Sequence, residues 1–407
     1  MNLSPLMSLK AEISRKSADA TTYATDAVDM LLHAATSAGA SDLHLLPMPE
    51  GLEIRCRVDG VLLPVAVLPA SASAKVIARL KVLAELLTYR MDVPQEGRIR
   101  AGLGELEMRL SILPTLHGEK AVIRLFAKSG RYETLDDLGL PAEIAQTLRH
   151  FLGATSGAIL FSGPAGSGKT TTIYACLREL VEVTQGKRSL ATLEDPVEVA
   201  LNGVSQTQIN SNSGLTLDVG LRAILRQDPE VIAVGEIRDR STAEVAFQAS
   251  LTGHLVLSTF HAGSAAAVIG RLIEMDIEPY LLRSGLLAIV AQRLARRLCE
   301  CSIPGTSRAD ALGLDVSEFR KPAGCETCAG TGYKGRIVLA ELLVPQANEV
   351  GRAILDKSDV AQLQRLAIQA GMIPLASRAL AAVDAGETSP AEIRRVLGVS
   401  DLGSSEK

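Results

Sequence analysis

Tryptophan is absent from the 407 residues, and aromatic residues make up only 3% of them. So few ring faces leave little platform on which nucleic-acid bases could stack. A basic excess is missing as well. The net charge is −4 and the pI is near 6.0, so no global field draws in a polyanion. No nucleic-acid partner is therefore expected. Long hydrophobic runs are also lacking, and the most apolar stretch, residues 284–291, is far shorter than the roughly 20 residues a spanning helix needs. Residues 1–5 hold no apolar signal-peptide core, and six cysteines without a secretory leader point to a reducing cytosol rather than a disulfide scaffold. The length predicts two or three domains.

What is present is organised around Gly163, Pro164, Ala165, Gly166, Ser167, Gly168, Lys169 and Thr170, which meet the pattern G-x-x-x-x-G-K-[ST] at every fixed position. Residues 158–162 read as a buried strand before it, and residues 170–180, with Thr171 beside the motif, as a helix after it. Glycines let the backbone turn tightly, so that consecutive N–H groups and a helix N-terminus face the β- and γ-phosphates of a nucleotide. Lys169 adds positive charge there, and the Thr170 hydroxyl is placed to ligand Mg²⁺. A chance glycine-rich turn would not bring strand, full motif and helix together. A nucleoside triphosphate, ATP by the resemblance below, is the expected ligand.

Residues 1 to about 25 are polar, rich in Ser and Thr, and expected to be mobile. Helical spacing follows at 26–37. Strands are expected at 41–46, 52–58, 61–68, 105–113 and 121–126, a helix at 71–88, and turns at Asp59-Gly60 and at 95–97. Arg98, Arg109 and Arg124 stand out in this part. They suit either a solvated strand face with cross-strand carboxylates or arginine fingers reaching a nucleotide. Residues 128–134 read as a linker and 142–152 as a helix.

Beyond the loop, strand and helix signals alternate, which implies a parallel sheet covered by helices. The strand at 189–193 ends in Glu194, the strand at 231–234 leads to Glu236, and the strand at 255–259 leads to His261. Carboxyl ends of parallel strands are where ligands bind in such sheets. Glu236 is accordingly placed to hold Mg²⁺ through water or to activate the attacking water. Arg222 and Arg226 share one face of a helix at 220–229. Cys299 and Cys301, then Cys325 and Cys328 after a 23-residue spacer, form two close pairs whose thiolates suit tetrahedral Zn²⁺. Cys56 and Cys176 read as small core residues. Helices are expected at 360–367 and 373–385, and a third at 390–397 is capped by Ser389; residues 401–407 are expected to be disordered.

The ordered set of runs at 193–198, 220–229, 234–239 and 249–261, with 41–44, 57–60, 95–98 and 109–111 before them, resembles the ATPases of type II secretion and type IV pilus assembly over roughly residues 38–345. The resemblance implies an α/β fold, with a RecA-like P-loop ATPase domain, a smaller PAS-like N-terminal α/β domain and a four-cysteine zinc-type insertion. The implied segments are a leader and helix at 1–37, the N-terminal domain at 38–128, a linker at 129–136 and the ATPase domain at 137–407. The last of these carries the Cys-rich insertion at 297–335 and C-terminal helices at 346–407. Glu194 then falls in an acidic box, Glu236 in the Walker B element, and His254 and His261 in a histidine box. Arg109 and Arg124 match arginines that swing onto the phosphates. Arg222, Arg226, Arg271 and Arg336 match others around the nucleotide or a subunit interface. The family works as homohexamers that drive an inner-membrane platform protein, so the chain is expected in the cytoplasm at the inner face of that membrane. Assembly-type members usually carry C-x-x-C in both halves of the zinc site, and here the first pair is C-x-C. About 40 residues precede the first matched run, too few for the recruitment domain of longer secretion members, so docking is expected through the N-terminal domain itself. Retraction motors, DNA-translocating motors and a nucleotide-sensing scaffold are the competing readings.

Overall fold

The computed structural model describes residues 4–17, 20–99, 108–125, 132–345 and 349–398. The chain divides into two compact units. The first comprises Met1–Lys128, Arg296–Pro304 and Arg320–Arg336, and the second Ser129–Ala295, Gly305–Phe319 and Ile337–Lys407.

In the first unit helices α1 (Ser4–Ser14) and α2 (Tyr23–Ser37) precede strands β1 (Asp42–Met48), β2 (Gly51–Val58) and β3 (Val61–Pro69). Helix α3 (Ala70–Leu83) and strands β4 (Gln95–Ile99), β5 (Met108–Thr115) and β6 (Gly118–Leu125) follow. The strands form one antiparallel sheet in the order β3-β2-β1-β6-β5-β4. Alternation decides its faces. Leu43, Leu45, Ile54, Cys56, Leu110, Ile112 and Ile123 are buried and share a core with the apolar sides of α1, α2 and α3. Asp59 and Gly60 both take positive φ, 48° and 81°, as a two-residue hairpin turn between β2 and β3 requires.

Three expectations are corrected by the fold. Much of the leader is helix rather than mobile chain, because Leu6, Leu9 and Ile13 recur at helical spacing and are buried in the core. Residues 95–97 are not a turn but the start of β4, where Glu96 pairs with Ser111 of β5. Helix α3 also stops at Leu83, five residues short of expectation, and the chain leaves it through Glu85 at φ 58°. The first part of the strand expected at 105–113, Phe126, the linker up to residue 131 and residues 401–407 lie outside the described residues.

In the second unit α4 (Ala142–Leu152) leads to β7 (Gly157–Ser162), α5 (Lys169–Thr184), β8 (Leu190–Glu194) and β9 (Ser205–Gln208). Then come α6 (Leu217–Ile224), β10 (Val231–Val234), α7 (Arg240–Leu251), β11 (Leu255–Phe260), α8 (Ala265–Glu274) and α9 (Pro279–Gly285). Strand β12 (Leu286–Leu298) runs into the Cys-rich segment, where β13 (Ile303–Pro304) pairs with β14 (Arg320–Lys321). Strand β15 (Tyr333–Leu343) runs out of it to α10 (Glu349–Leu355), α11 (Val360–Gln369), α12 (Leu375–Asp384) and α13 (Pro390–Leu397). The larger sheet has the order β15-β12-β7-β11-β10-β8-β9, and the pairs from β12 to β9 are parallel. Its central strands β7, β8, β10 and β11 are buried along their whole length, the signature of a parallel sheet covered on both faces. Apolar residues 286–291 belong to β12 of this sheet, and among the described residues no helix is long and apolar enough to cross a membrane.

The expected helix after Ser389 is present. The Ser389 hydroxyl accepts from Glu392 N at 3.2 Å and Pro390 opens the helix. Residues 305–319, between the cysteine pairs, group with the second unit, whose core takes up Leu314.

Leu9 of α1 is 2% exposed. Replacing Leu9 by Ala is expected to cost about 2–5 kcal/mol, read as a lowered urea midpoint of the first unit's unfolding. A cost near zero would show that α1 does not belong to that core.

Candidate nucleotide site

The glycine-rich loop sits between β7 and α5 as expected. Gly163, Gly166 and Gly168 take φ of 148°, 74° and 93°. A Cβ on Gly163 would stand 2.5 Å from the Gln292 carbonyl oxygen, so the position admits only glycine. Pro164, Ala165 and Gly166 are exposed at the tip, while Ser167 and Lys169 are buried. Thr170 and Thr171 fall in the first turn of α5. Lys169 Nζ donates to the carbonyls of Gly163 at 2.8 Å and Pro164 at 3.0 Å. Burial lowers its affinity for the proton, Glu236 opposes this and the Arg293 charge adds to it.

Glu236 and His261 meet at the same sheet edge, with His261 Nε2 3.5 Å from Glu236 Oε2. Their strands are laced together there. Thr259 Oγ1 donates to the Gly235 carbonyl at 2.7 Å, and Ile237 N to the Thr259 carbonyl at 3.0 Å. Arg238 pairs with the other Glu236 oxygen. Burial, then the Lys169 charge, hold His261 below its ordinary pKa, against the pull of Glu236. Arg271 of α8 donates to the His261 carbonyl at 3.2 Å, so it too belongs to this edge.

Glu194, at the end of β8, is buried and fully engaged. Thr192 Oγ1 at 2.5 Å and Gln206 Nε2 at 3.0 Å donate to one carboxylate oxygen, and the Tyr174 hydroxyl of α5 to the other. Burial and that bond keep Tyr174 a neutral phenol.

Other expected residues are placed elsewhere. His254 lies just before β11, at the opposite end from His261, a six-residue strand or about 20 Å away. Its Nδ1 is 3.1 Å from the Ala249 carbonyl, and it is not brought to the loop. Arg222 and Arg226 are exposed on α6 and just beyond it; Gly220 seats that helix against Leu193. Arg336 belongs to the first unit and stands 3.6 Å from Asp59, whose other oxygen accepts from Gly335 N at 2.9 Å. Arg109 and Arg124 also lie in the first unit, directly opposite one another on β5 and β6. The register extends this row. Arg57, Asp42, Arg124, Arg109 and Arg98 oppose each other in turn across five strands and share one face. Asp42 bridges Arg124 at 3.1 Å and Arg57 at 3.4 Å, and Glu96 takes Arg109 at 2.5 Å. The cross-strand carboxylates are there, and within the row the arginines outnumber the acid four to one.

The sequence reading missed Gln292 and Arg293 on β12. Gln292 Nε2 donates to the Ser167 carbonyl at 2.9 Å and its Oε1 accepts from Thr172 at 3.2 Å, beneath the loop. Arg293 Nη2 donates to the Gly263 carbonyl at 2.7 Å. Gln292 and Arg293 interrupt the otherwise apolar run 286–295, which was the available signal; in the fold they are 1% and 7% exposed.

The four cysteines converge. Cys299, Cys301, Cys325 and Cys328 place all four sulfurs within 4.8 Å of each other, with separations of 3.9, 3.8 and 3.7 Å in three of the pairs. A tetrahedral site with Zn–S of about 2.3 Å needs sulfurs about 3.8 Å apart. The C-x-C pair therefore does not spoil the geometry. Burial would raise the Cys328 thiol, but N–H donors of Cys325 and Gly332 at 3.1 and 3.2 Å outweigh it and bring it to about 6, which suits a thiolate ligand. Cys56, by contrast, is pushed up to about 12 by burial and is a core residue.

The family described as type II/IV secretion system protein matches residues 17–395. The chain belongs to that family. Among its relatives, the type IV pilus assembly ATPase PilB of Thermus thermophilus is 40% identical over 344 residues, 82% of this chain and 38% of that protein. The putative type II secretion system protein E of Escherichia coli is 42% identical over 378 residues, 91% of this chain and 76% of the relative. Type II secretion system ATPase E of Vibrio cholerae is 39% identical over 91% of this chain and 74% of its own length. The chain thus spans well under half of the Thermus protein and about three quarters of the other two. In fold it is similar to the Legionella pneumophila ATPase DotB, with TM-score 0.67 at 21% identity over 90% of this chain and 94% of that one. It is similar also to the pilus retraction motor PilT, with TM-score 0.59 at 24% identity over 89% and 95%.

His261 is expected to titrate below its ordinary pKa of about 6.5, followed by its ring-proton chemical shift against pH. Lys169→Met removes a nearby positive charge, makes protonation easier and should move the midpoint upward. An unchanged midpoint would mean that Lys169 and His261 do not share a field.

Proposed function

We propose that the chain is an ATPase motor that hydrolyses ATP to power type IV pilus assembly or type II protein secretion. The single observation that carries this is the meeting of the loop's Lys169 with Glu236 and His261 at one sheet edge. The names of the relatives supply the process. The parallel sheet with its loop supports a RecA-like core, and the antiparallel sheet under helices supports a PAS-like N-terminal domain at 38–128 joined by a linker at 129–136 to the ATPase domain at 137–407. The motor is a homohexamer that acts on an inner-membrane platform protein, and it resides at the cytoplasmic face of that membrane. The absence of a basic excess disfavours a DNA-translocating motor.

The residues divide the chemistry. Loop N–H groups and Lys169 bind the β- and γ-phosphates. The Thr170 hydroxyl and the Glu236 carboxylate are oxygen donors of the kind Mg²⁺ requires, and bound there the ion would neutralise charge on the phosphates. Glu236 is the better candidate to orient the attacking water, because its partly exposed side chain shares an edge with Lys169 and His261, whereas Glu194 is buried and its oxygens accept hydrogen bonds from Tyr174, Thr192 and Gln206. Glu194 then shapes the edge. Arg109 and Arg124 supply charge to the transferring phosphoryl group, a role worth roughly 10³–10⁵ in rate where measured for such arginines. Arg222, Arg226 and Arg336 serve a subunit boundary. Zn²⁺ on the four cysteines would fix the fold of residues 299–328 without entering the reaction.

ATP turnover against subunit concentration, with mass determined in parallel, tests the motor. Turnover should rise as a hexameric mass appears, and Glu236→Gln should lower kcat by about 10²-fold or more while still binding ATP. Full turnover in that variant would sink the assignment of Glu236, and tight binding without turnover in the assembled wild type would favour a scaffold. Elemental analysis tests the metal: zinc should copurify in proportion to the chain and be lost in Cys328→Ser. Four freely reactive thiols and no zinc in protein prepared without chelator would overturn it.

A further inference from the structure

The segment from His261 to Ala265 is fastened at every residue. Arg271 holds the His261 carbonyl, Ser162 Oγ bonds both Ala262 N and its carbonyl at 3.2 Å, and Arg293 holds the Gly263 carbonyl. Ser264 caps α8 by accepting from Ala267 N at 3.2 Å. The last fastening comes from β15. Glu341, 1% exposed, accepts from Ala265 N through Oε1 at 2.7 Å. Its Oε2 accepts from Leu375 N at 2.9 Å.

Ala265 and Leu375 are the first residues of α8 and α12. The first N–H groups of a helix lack partners within it and carry its positive end. One buried carboxylate therefore satisfies two helix starts at once, and α12 has no side-chain cap of its own at Pro374. One of those helices begins where the His261 segment ends, and the other belongs to the C-terminal helices. The loop itself is held from elsewhere, by Gln292.

We infer that Glu341 is a positioning residue: it sets the His261 segment against Glu236 by tying the start of α8 to the start of α12. The inference rests on the ATPase reading for its kinetic consequence and on the geometry alone for the bridge. A carboxylate is required because both partners donate. Glutamine can accept at one helix start but turns its own N–H₂ toward the other.

The test is Glu341→Gln in the full chain, with ATP turnover and amide hydrogen exchange measured together. Exchange should rise at least about tenfold at 261–265 or at 374–376 and stay as in the wild type at 163–170. The kcat should fall about tenfold, with KM for ATP within about twofold, since a small displacement of reacting groups costs rate without costing the phosphate contacts. A folded variant with wild-type kcat and wild-type exchange overturns the proposal, as does a raised KM at unchanged kcat. If the wild type itself turns over no ATP, the motor reading has failed, and the exchange arm decides the bridge by itself. If the variant does not fold, exchange in the wild type decides: slow Ala265 and Leu375 amides support the bridge, and fast exchange at either overturns it.

Discussion

A loop that offers its N–H groups to phosphate has to take its shape from contacts to its carbonyls and from the strand beneath it. Gln292 meets that requirement, joining the Ser167 carbonyl to Thr172 one turn into α5. It stands on β12, which is paired directly with β7, so the loop is braced by its own strand's neighbour rather than by solvent. Arg293, the next residue, reaches the Gly263 carbonyl beyond β11. Side chains alternate across a strand, and so one dipeptide serves the loop on one side and the His261 segment on the other.

Charge at this edge is concentrated. Lys169 and Arg238 act on His261, Arg238 pairs with Glu236, and Arg293 acts on Lys169; the low exposure of Lys169 and Arg293 keeps their fields from being screened. A polyanion is what such an arrangement can accommodate. The first unit has its own concentration of charge. Four arginines and one aspartate lie in one cross-strand row, where like charges side by side repel unless acids intervene, as Asp42 and Glu96 do. The other face of that sheet is closed by α1, α2 and α3, so the arginine row lies on the face turned away from that core.

The cysteine segment shows how a local motif and long-range packing divide the work. Residues 325–332 curl so that two backbone N–H groups point at the Cys328 sulfur, a feature of the short turn alone. Cys299 and Cys301 arrive from β12, and Gly332 N–H and carbonyl serve both halves, the carbonyl accepting from Cys299 N at 2.9 Å. Asp59 in the β2–β3 turn then anchors Gly335, which groups this segment with the first unit although it lies late in the chain.

Local pattern determined a good deal by itself. The loop motif, the buried strands at β7, β10 and β11, the Asp59-Gly60 hairpin, the helix opened by Ser389 and Pro390, and the close cysteine pairs all follow from spacing within about ten residues. So did the gathering of Glu236 and His261, because parallel strands deliver their carboxyl ends to one edge. Tertiary structure decided the rest. His254 and His261 look alike in the sequence, but a strand between them carries them to opposite ends of the sheet. Arg57, Arg98, Arg109 and Arg124 form one row only through the register of five strands. Helix α1 is held by burial of three side chains in a core that its polar composition did not advertise. Glu341 is 76 residues from one partner and 34 from the other. No periodicity reports such a contact; it exists because burying a carboxylate is tolerable only where donors already wait, and here two helix starts supply them.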